Sequence, residues 1–445
     1  MFDDIRRIIS RIAAKYKVED FEINLSTGDN TSFNIEQRDL TISTQVGVAS
    51  LGLRLAKKGK LTYASSTVFD EHTLDRVISA ALTNLVPTSL KGFVAIPPGS
   101  SSDYSDPEVA RLIKNPKALQ DIFSEMVKQT WSEGKGRFER LNGSGAVSQG
   151  ESWVYTSRSK EPSYIRQTAF GVNVDLDSRD FDFLTGRKLA SESKIASLGA
   201  GLAKSLPKGS LKPSDIGVKG QVVEVILHPM CLQGLFGLLV AEQIYATNKL
   251  LGISKYRVGD ALAAPSVTIY DDATHPDLLS SSPTDDEGTL SRRIPIFEAG
   301  TFKSFLYDAE TAVLDKTSST GSGMRRPVLA EETHEAPVRP TLRSLVMEPG
   351  EHRLSDMIRS VKKGVLLKFL LGIHTADKVT GAFANTAFLS RVIDAGETVA
   401  TTEPGTWAMR GNALELIKNI EAISAERLNL GSGLLPWVKT RLAVG

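Results

Sequence analysis

The chain has 445 residues, 41% of them hydrophobic, with 53 basic against 52 acidic side chains and a formal net charge of +1. That hydrophobic share supports several cores and excludes a disordered chain, while the balanced charge excludes the basic excess that nucleic acid or an anionic membrane demands. A single cysteine, Cys231, excludes an intrachain disulfide framework and points to a reducing, cytoplasmic setting.

The N-terminus meets acidic residues at once, so no secretory leader is expected there. Residues 2–17 read as an amphipathic helix with Ile5, Ile8, Ile9, Ile12 and Tyr16 on one stripe. Strand-like segments follow, FEINLS, SFNIEQ, LTISTQ, VGVASLGLRLA and KLTYASSTVF, with Lys57–Lys60 as a hairpin tip. A helix over Asp70–Leu85 closes a first α+β unit, 1–90. Residues 86–105 are rich in Pro, Ser and Gly and read as a linker. A second α+β unit, 106–210, has a helix over Pro107–Glu133, a run of strands and a helix over Lys194–Leu206. Its LGAGLAKS segment fails the phosphate-loop spacing and reads as small residues for close helix packing. The last unit, 218–445, opens with the strand VVEVIL. His228-Pro229 then starts a helix that is apolar on most sides. Many strands and turns lead to a final helix near Asn412–Ser424. The whole is a multi-domain α+β chain, its C-terminal unit larger and β-rich with a buried helix. The apolar runs around Leu235–Ala241 and Val365–Ile373 fall short of the ~20 residues that span a membrane.

Familiar chemistries find little footing. A zinc hydrolase needs about three protein ligands. The six histidines, His72, His228, His275, His334, His352 and His374, are scattered, and no two lie within five residues. Cys231 sits in an apolar helix without an activating base. The acidic stretch YDDATHPDL reads as a solvated turn with Asx capping, or as a visiting site for a hard cation. There is no G-x-S-x-G elbow and no G-x-G-x-x-G between strand and helix.

One region is more distinctive. Asp285-Asp286-Glu287-Gly288 precedes Arg292-Arg293. Then come Phe305-Leu306-Tyr307-Asp308, Ser319-Thr320-Gly321-Ser322-Gly323 and Arg325-Arg326. This resembles the C-terminal domain of the TldD/PmbA family, also called the modulator of DNA gyrase family. GVASLGLRLAKKGKLTYASS resembles the family's N-terminal domain, and VTGAFANTAFLSRVIDAGE followed by WAMRGNALELIKNIEAIS its closing segment. The resemblance implies chains paired around an enclosed cavity. In the zinc branch, TldD, the first helix of the C-terminal domain carries an HExxxH motif, and a cysteine ligand comes later. The matching helix here is Met230–Ala246, with the motif positions at Gly237, Leu238 and Glu242. No His lies between His228 and His275, and Cys231 is the last cysteine. The chain is therefore similar to the TldE/PmbA branch, which lacks the motif.

The implied function is a non-catalytic subunit of a TldD/TldE-type metalloprotease that trims unfolded or small peptides. It has no catalytic residue and no metal of its own, and zinc is expected in a TldD-like, HExxxH-bearing partner of a heterodimer. The alternative is a homodimeric scaffold or peptide-binding protein. Neither nucleic acid nor membrane is an expected partner. Asp286, Glu287, Tyr307, Arg325 and Arg326 are the cavity or structural candidates. The acidic turn and the arginine pair are expected to meet across neighbouring strands as carboxylate–guanidinium pairs.

Overall fold

A computed structural model describes residues 1–134, 136–325 and 333–445. Helix α1 (Phe2–Lys15) buries Ile5, Ile9 and Ile12, with Asp3 and Asp4 in its first turn and Lys15 in its last. Those charges complement the helix dipole. Strands β1 (Asp20–Glu36) and β2 (Asp39–Lys57) form one long hairpin. The sequence suggested two strands in each. A bulge between Gly28 and Asn30 lets a single ladder run through instead. Lys58 and Gly59, at φ of 52° and 68°, turn β2 into β3 (Lys60–Ser66) in the two-residue hairpin that strand twist favours. Helix α2 (Glu71–Ala81) starts where the Asp70 carboxylate accepts the Thr73 amide at 2.9 Å.

The segment read as a linker contributes two short strands, β4 (Val86–Pro87) and β5 (Ser101–Tyr104), to the margins of the sheet. The helix expected over 107–133 is two helices, α3 (Pro107–Ile113) and α4 (Pro116–Glu133). Pro116 has no N–H to continue the first, and Asn115 caps the second through the Ala118 amide at 3.2 Å. Strands β6 (Leu141–Thr156), β7 (Ser163–Leu176) and β8 (Asp180–Gly186) follow, then α5 (Glu192–Ser205). β6 pairs with β1 from Glu22 to Glu36, so both α+β segments share one sheet, ordered β4-β3-β2-β1-β6-β7-β5 with β8 on β7. Their cores stay separate. Ile9, Ile23, Leu53 and Leu74 pack in one, and Phe33, Phe123, Phe170 and Leu198 in the other. In LGAGLAKS, Gly199 faces α4 so closely that a Cβ would lie 2.1 Å from Thr130 Oγ1.

β9 (Ser210–Leu211) and β10 (Val222–Leu227) enter a second sheet of 14 strands among the described residues. Its central strand, Gly433–Val444, is antiparallel to β10 and parallel to Leu345–Met347. After β10 come α6 (Pro229–Leu235), a π-helical turn (Phe236–Val240) and α7 (Ala241–Ile244). Leu235, Phe236, Leu239 and Ile244 join Phe297 and Trp407 in the largest core. The final helix is shorter than its pattern suggested, Ala413–Lys418. Ile423 reaches the core from a strand instead, Ala422–Asn429. Among the described residues no helix is long and apolar enough to cross a membrane.

Gly199→Val should lower stability by about 1–3 kcal/mol, because α5 must move off Thr130. Gly201→Ala, on the same helix with nothing within 4 Å of the added carbon, should raise it by up to about 1 kcal/mol. Urea unfolding of both variants separates close packing from simple helix propensity.

Candidate functional site

The first sheet meets the C-terminal unit through buried charge. Glu22 and Arg54 face each other across β1 and β2, each flanked by apolar neighbours. Arg54 Nε donates to Glu22 Oε1 at 3.0 Å, and its Nη2 donates to Glu22 Oε2. Its Nη1 donates to Glu287 Oε1 at 2.7 Å. All three side chains are at most 3% exposed. Glu287 Oε2 also accepts the Ala309 amide at 2.6 Å, and Asn24 donates to the Asp286 carbonyl at 2.8 Å. Arg325 adds a second cation, with Nη2 3.6 Å from Glu22 Oε1.

The acidic turn is thus buried and structural in its geometry. Asp285 Oδ1 accepts the amides of Glu287 and Thr289 at 3.0 and 2.8 Å, and Oδ2 accepts that of Gly323 at 2.9 Å. The expected side-chain pairing of this turn with Arg325 is not what forms. Asp286 accepts the Arg325 main-chain amide at 2.7 Å. The guanidinium turns instead toward Glu22 and the carbonyls of His334 and Ala336. The reason is that β1 brings the Glu22 carboxylate, already bonded to Arg54, within reach of a second cation, and Asp285 and Asp286 are already bonded to main-chain amides. Arg326 lies outside the described residues.

Burial sets the protonation here. It pushes Asp285 well above the usual carboxylate range, with the neighbouring Glu287 adding to the effect. It raises Glu22 against the pull of Arg54. It pushes Asp308 up to about 6, again with help from Glu287. Burial works against the Arg54 charge, but Glu22 and Glu287 outweigh it and hold the guanidinium well above its ordinary value.

Tyr307 belongs to a separate cluster. Its hydroxyl donates to Asp315 Oδ2 at 2.5 Å and accepts from Lys249 Nζ at 3.1 Å. YDDATHPDL is less solvated than its composition suggested. Asp271 lies within a strand, Ile269–Asp272, fully buried, accepting the Arg343 and Ser344 amides at 3.1 and 2.7 Å, and burial pushes it up to about 6. Asp272 does form the Asx cap, on Thr274.

A second buried seam joins β8 to the C-terminal unit. Asp180 accepts from Lys368 Nζ and from Arg391 Nε, the latter at 2.6 Å. Near it His228 caps α6 through the Met230 amide at 3.2 Å and meets the Trp437 ring edge-on. Burial, with Lys368 nearby, pushes its pKa well down, so the ring is neutral. Sequence reasoning missed Glu22, Arg54, Asp180, Lys368 and Arg391. The available signal was a charge set inside an apolar strand, as in FEINL, LGLRLA and VLLKFLL.

Between these seams lies a groove of about 560 Å³ whose lining includes Asn34, Gly145, Asn173, Phe181, Phe183 and Met230. Among the described residues no charged side chain lines it. Further along the helix that carries Met230, Gly234 and Gly237 have open space where a Cβ would stand, and Leu238 and Glu242 are half-buried.

A family model described as the PmbA/TldA metallopeptidase C-terminal domain matches residues 219–444, and one described as domain 1 of the same metallopeptidases matches residues 21–85. The chain belongs to the TldD/PmbA family. An uncharacterized protein of Methanocaldococcus jannaschii is 25% identical over 355 residues, 77% of each chain. A metalloprotease of the same archaeon is 27% identical over 244 residues, 54% of this chain and 48% of the relative. The solved structure of TldE from Thermococcus kodakarensis superposes with a TM-score of 0.82 over 99% of both chains at 21% identity, a likeness of fold.

For this family member the donor set on the helix is the fit test for a metal, and it fails. Gly237 offers no donor and Leu238 is apolar. The Glu242 carboxylate is held by Asn248 Nδ2 at 2.8 Å. The Cys231 thiol is buried and pushed up by that burial. Among the described residues no three His, Cys, Asp or Glu side chains gather as a metal site.

Arg54→Met should cost about 3–5 kcal/mol, because it strands Glu22 and Glu287 in the seam. Arg11→Ala, which breaks an exposed pair with Glu71, should cost about 1 kcal/mol or less. Denaturant unfolding of the two variants checks this. Asp308 binds a proton more tightly folded than unfolded, so its contribution is full below about pH 4 and is lost as pH rises through about 6. Asp308→Asn should therefore lose less stability between those limits than the parent chain, by up to about 3 kcal/mol. Unfolding at the two pH values reads the difference.

Proposed function

We propose that this chain is the non-catalytic subunit of a TldD/TldE-type metalloprotease, forming one wall of a peptide-holding cavity beside an HExxxH-bearing chain. The observation that carries the reading is the helix 230–246. Gly237, Leu238 and Glu242 are the positions that the family resemblance sets against the zinc motif, and none offers a free metal donor: one has no side chain, one is apolar, and one is bonded to Asn248. Family membership supports a peptidase setting, and the helix supports a partner that supplies the chemistry.

The substrates proposed are unfolded or small peptides. The uncharged groove supports this, since Asn34 and Asn173 can bond a peptide backbone while Phe181, Phe183 and Met230 accept apolar side chains. Asp286, Glu287 and Arg325 are proposed to hold the wall in place, without contact to the reacting bond. The pairing is proposed to be with the zinc-bearing chain, in the cytoplasm.

Peptidase activity should appear only when the two chains are mixed. A Glu→Ala change in the partner's HExxxH should abolish cleavage while assembly persists. The triple change Gly237→His, Leu238→Glu, Glu242→His in this chain should add no activity by itself. Cleavage of peptides by the isolated chain, undiminished by chelator, would overturn the assignment.

A further inference from the structure

β8 ends at Gly186, and the next residue, Arg187, buries its guanidinium against the C-terminal unit, 4% exposed. Its Nε donates to the Leu278 carbonyl at 2.9 Å, Nη2 to the Ser281 carbonyl at 2.7 Å and Nη1 to Gln167 Oε1 at 2.8 Å. The guanidinium lies 4.1 Å from the centre of the Tyr104 ring. The Arg187 carbonyl is held too, accepting from Thr168 Oγ1 at 2.9 Å. The group is fixed in place, yet each of these acceptors is neutral. The bonds use one N–H on each nitrogen, and each terminal nitrogen keeps a second.

The other buried arginines are answered by carboxylates. Arg54 bonds Glu22 and Glu287, Arg325 Nη2 lies 3.6 Å from Glu22 Oε1, and the charge of Arg343 acts on Asp271 and Asp285. Among the described residues no carboxylate pairs with Arg187. Burial works against its charge, and Tyr104 and Asp277 offset only part of that, so its pKa falls below the ordinary guanidinium value. A buried cation without a counter-ion is costly. This one borders a pocket of about 560 Å³ where β5 and β8 meet the C-terminal unit, lined also by Asp103, Tyr104, Lys188, Asp277 and Leu434. Lys188, Asp103 and Asp277 are exposed and, among the described residues, form no ion pair.

We propose that this pocket binds a free α-amino acid, its carboxylate on Arg187 and Lys188 and its ammonium on Asp103 and Asp277. The carboxylate supplies the charge that Arg187 lacks and acceptors for its spare N–H groups, a match that the planar guanidinium favours. Two cations and two anions around one pocket suit a zwitterion. A polyanion such as a phosphate ester would be repelled by Asp103 and Asp277, and a plain cation by Arg187 and Lys188. Leu434 and the Tyr104 ring offer apolar surface to the ligand's side chain. The pocket shares no lining residue with the uncharged groove. The inference therefore goes beyond the subunit reading and does not depend on it.

The test is isothermal titration calorimetry of the full chain with L-leucine near neutral pH. Leucine should bind at one site per chain with a Kd of about 1 mM or tighter. Leucine amide, which lacks the carboxylate, and N-acetylleucine, which lacks the ammonium, should each bind at least tenfold more weakly. Arg187→Met should remove binding. Because the Arg187 bonds also hold the fold, two exposed positions carry the test independently. Lys188→Met and Asp277→Asn should each weaken leucine binding at least threefold, with melting unchanged. Absence of leucine binding, equal binding of leucine and its amide, or unchanged affinity in both exposed variants would each overturn the proposal. Binding of inorganic phosphate in place of leucine would make the pocket a plain anion site and overturn it as well. The HExxxH-bearing chain is left out throughout, so failure of the subunit reading leaves this result untouched.

Discussion

Arg54 lies buried between Glu22 of its own sheet and Glu287 of the opposite unit, and the alignment of the two units depends on that contact. A guanidinium out of water is costly unless both sides answer it. Here they do, and the hydrogen bonds run in two directions from one group. Sliding one unit against the other would leave a carboxylate or the guanidinium buried alone. The interaction therefore adds little net stability over a well-packed apolar seam, yet it strongly favours one alignment. The seam is rich in carboxylates. Glu22, Asp285, Asp286, Glu287 and Asp308 face Arg54, Arg325 and Arg343. Burial and this excess act together, which is why Asp285 and Asp308 hold protons above the usual range.

The second seam follows the same logic at the far side of the sheet. Asp180 on β8 answers Lys368 and Arg391. Two fixed seams hold the sheet beside the helix 229–244 without filling the space between them, and the groove is what remains. Among its lining residues Gly145 cannot take a side chain, since a Cβ would lie 2.3 Å from Phe33 and 2.4 Å from the Gly171 carbonyl.

The helix shows the same economy. A π-helical turn spans Phe236–Val240, where Gly237 and Leu238 stand. Such turns are often kept at functional sites because they re-aim side chains. In this chain the turn aims no donor at all, and Leu235, Phe236 and Leu239 use the irregular spacing to fill the core.

Much of the fold could be read directly from local pattern. The stripe of Ile5, Ile9 and Ile12 made α1, the KKGK tip made the β2–β3 turn, and Asp70 marked the start of α2, because each rests on contacts within a few residues. The family was legible in the acidic turn and the closing segment, and the lack of any histidine between His228 and His275 needed only residue identities. The joining of β1 to β6 was not legible. That pairing spans more than a hundred residues, and both strands carry the same alternation that any sheet neighbour would satisfy. Nor could sequence find the partner of Arg54 or Asp180. A charge inside an apolar strand announces that some opposite charge must meet it, since burial alone is too costly. Which charge it is depends on how two sheets pack, and tertiary structure alone decided that.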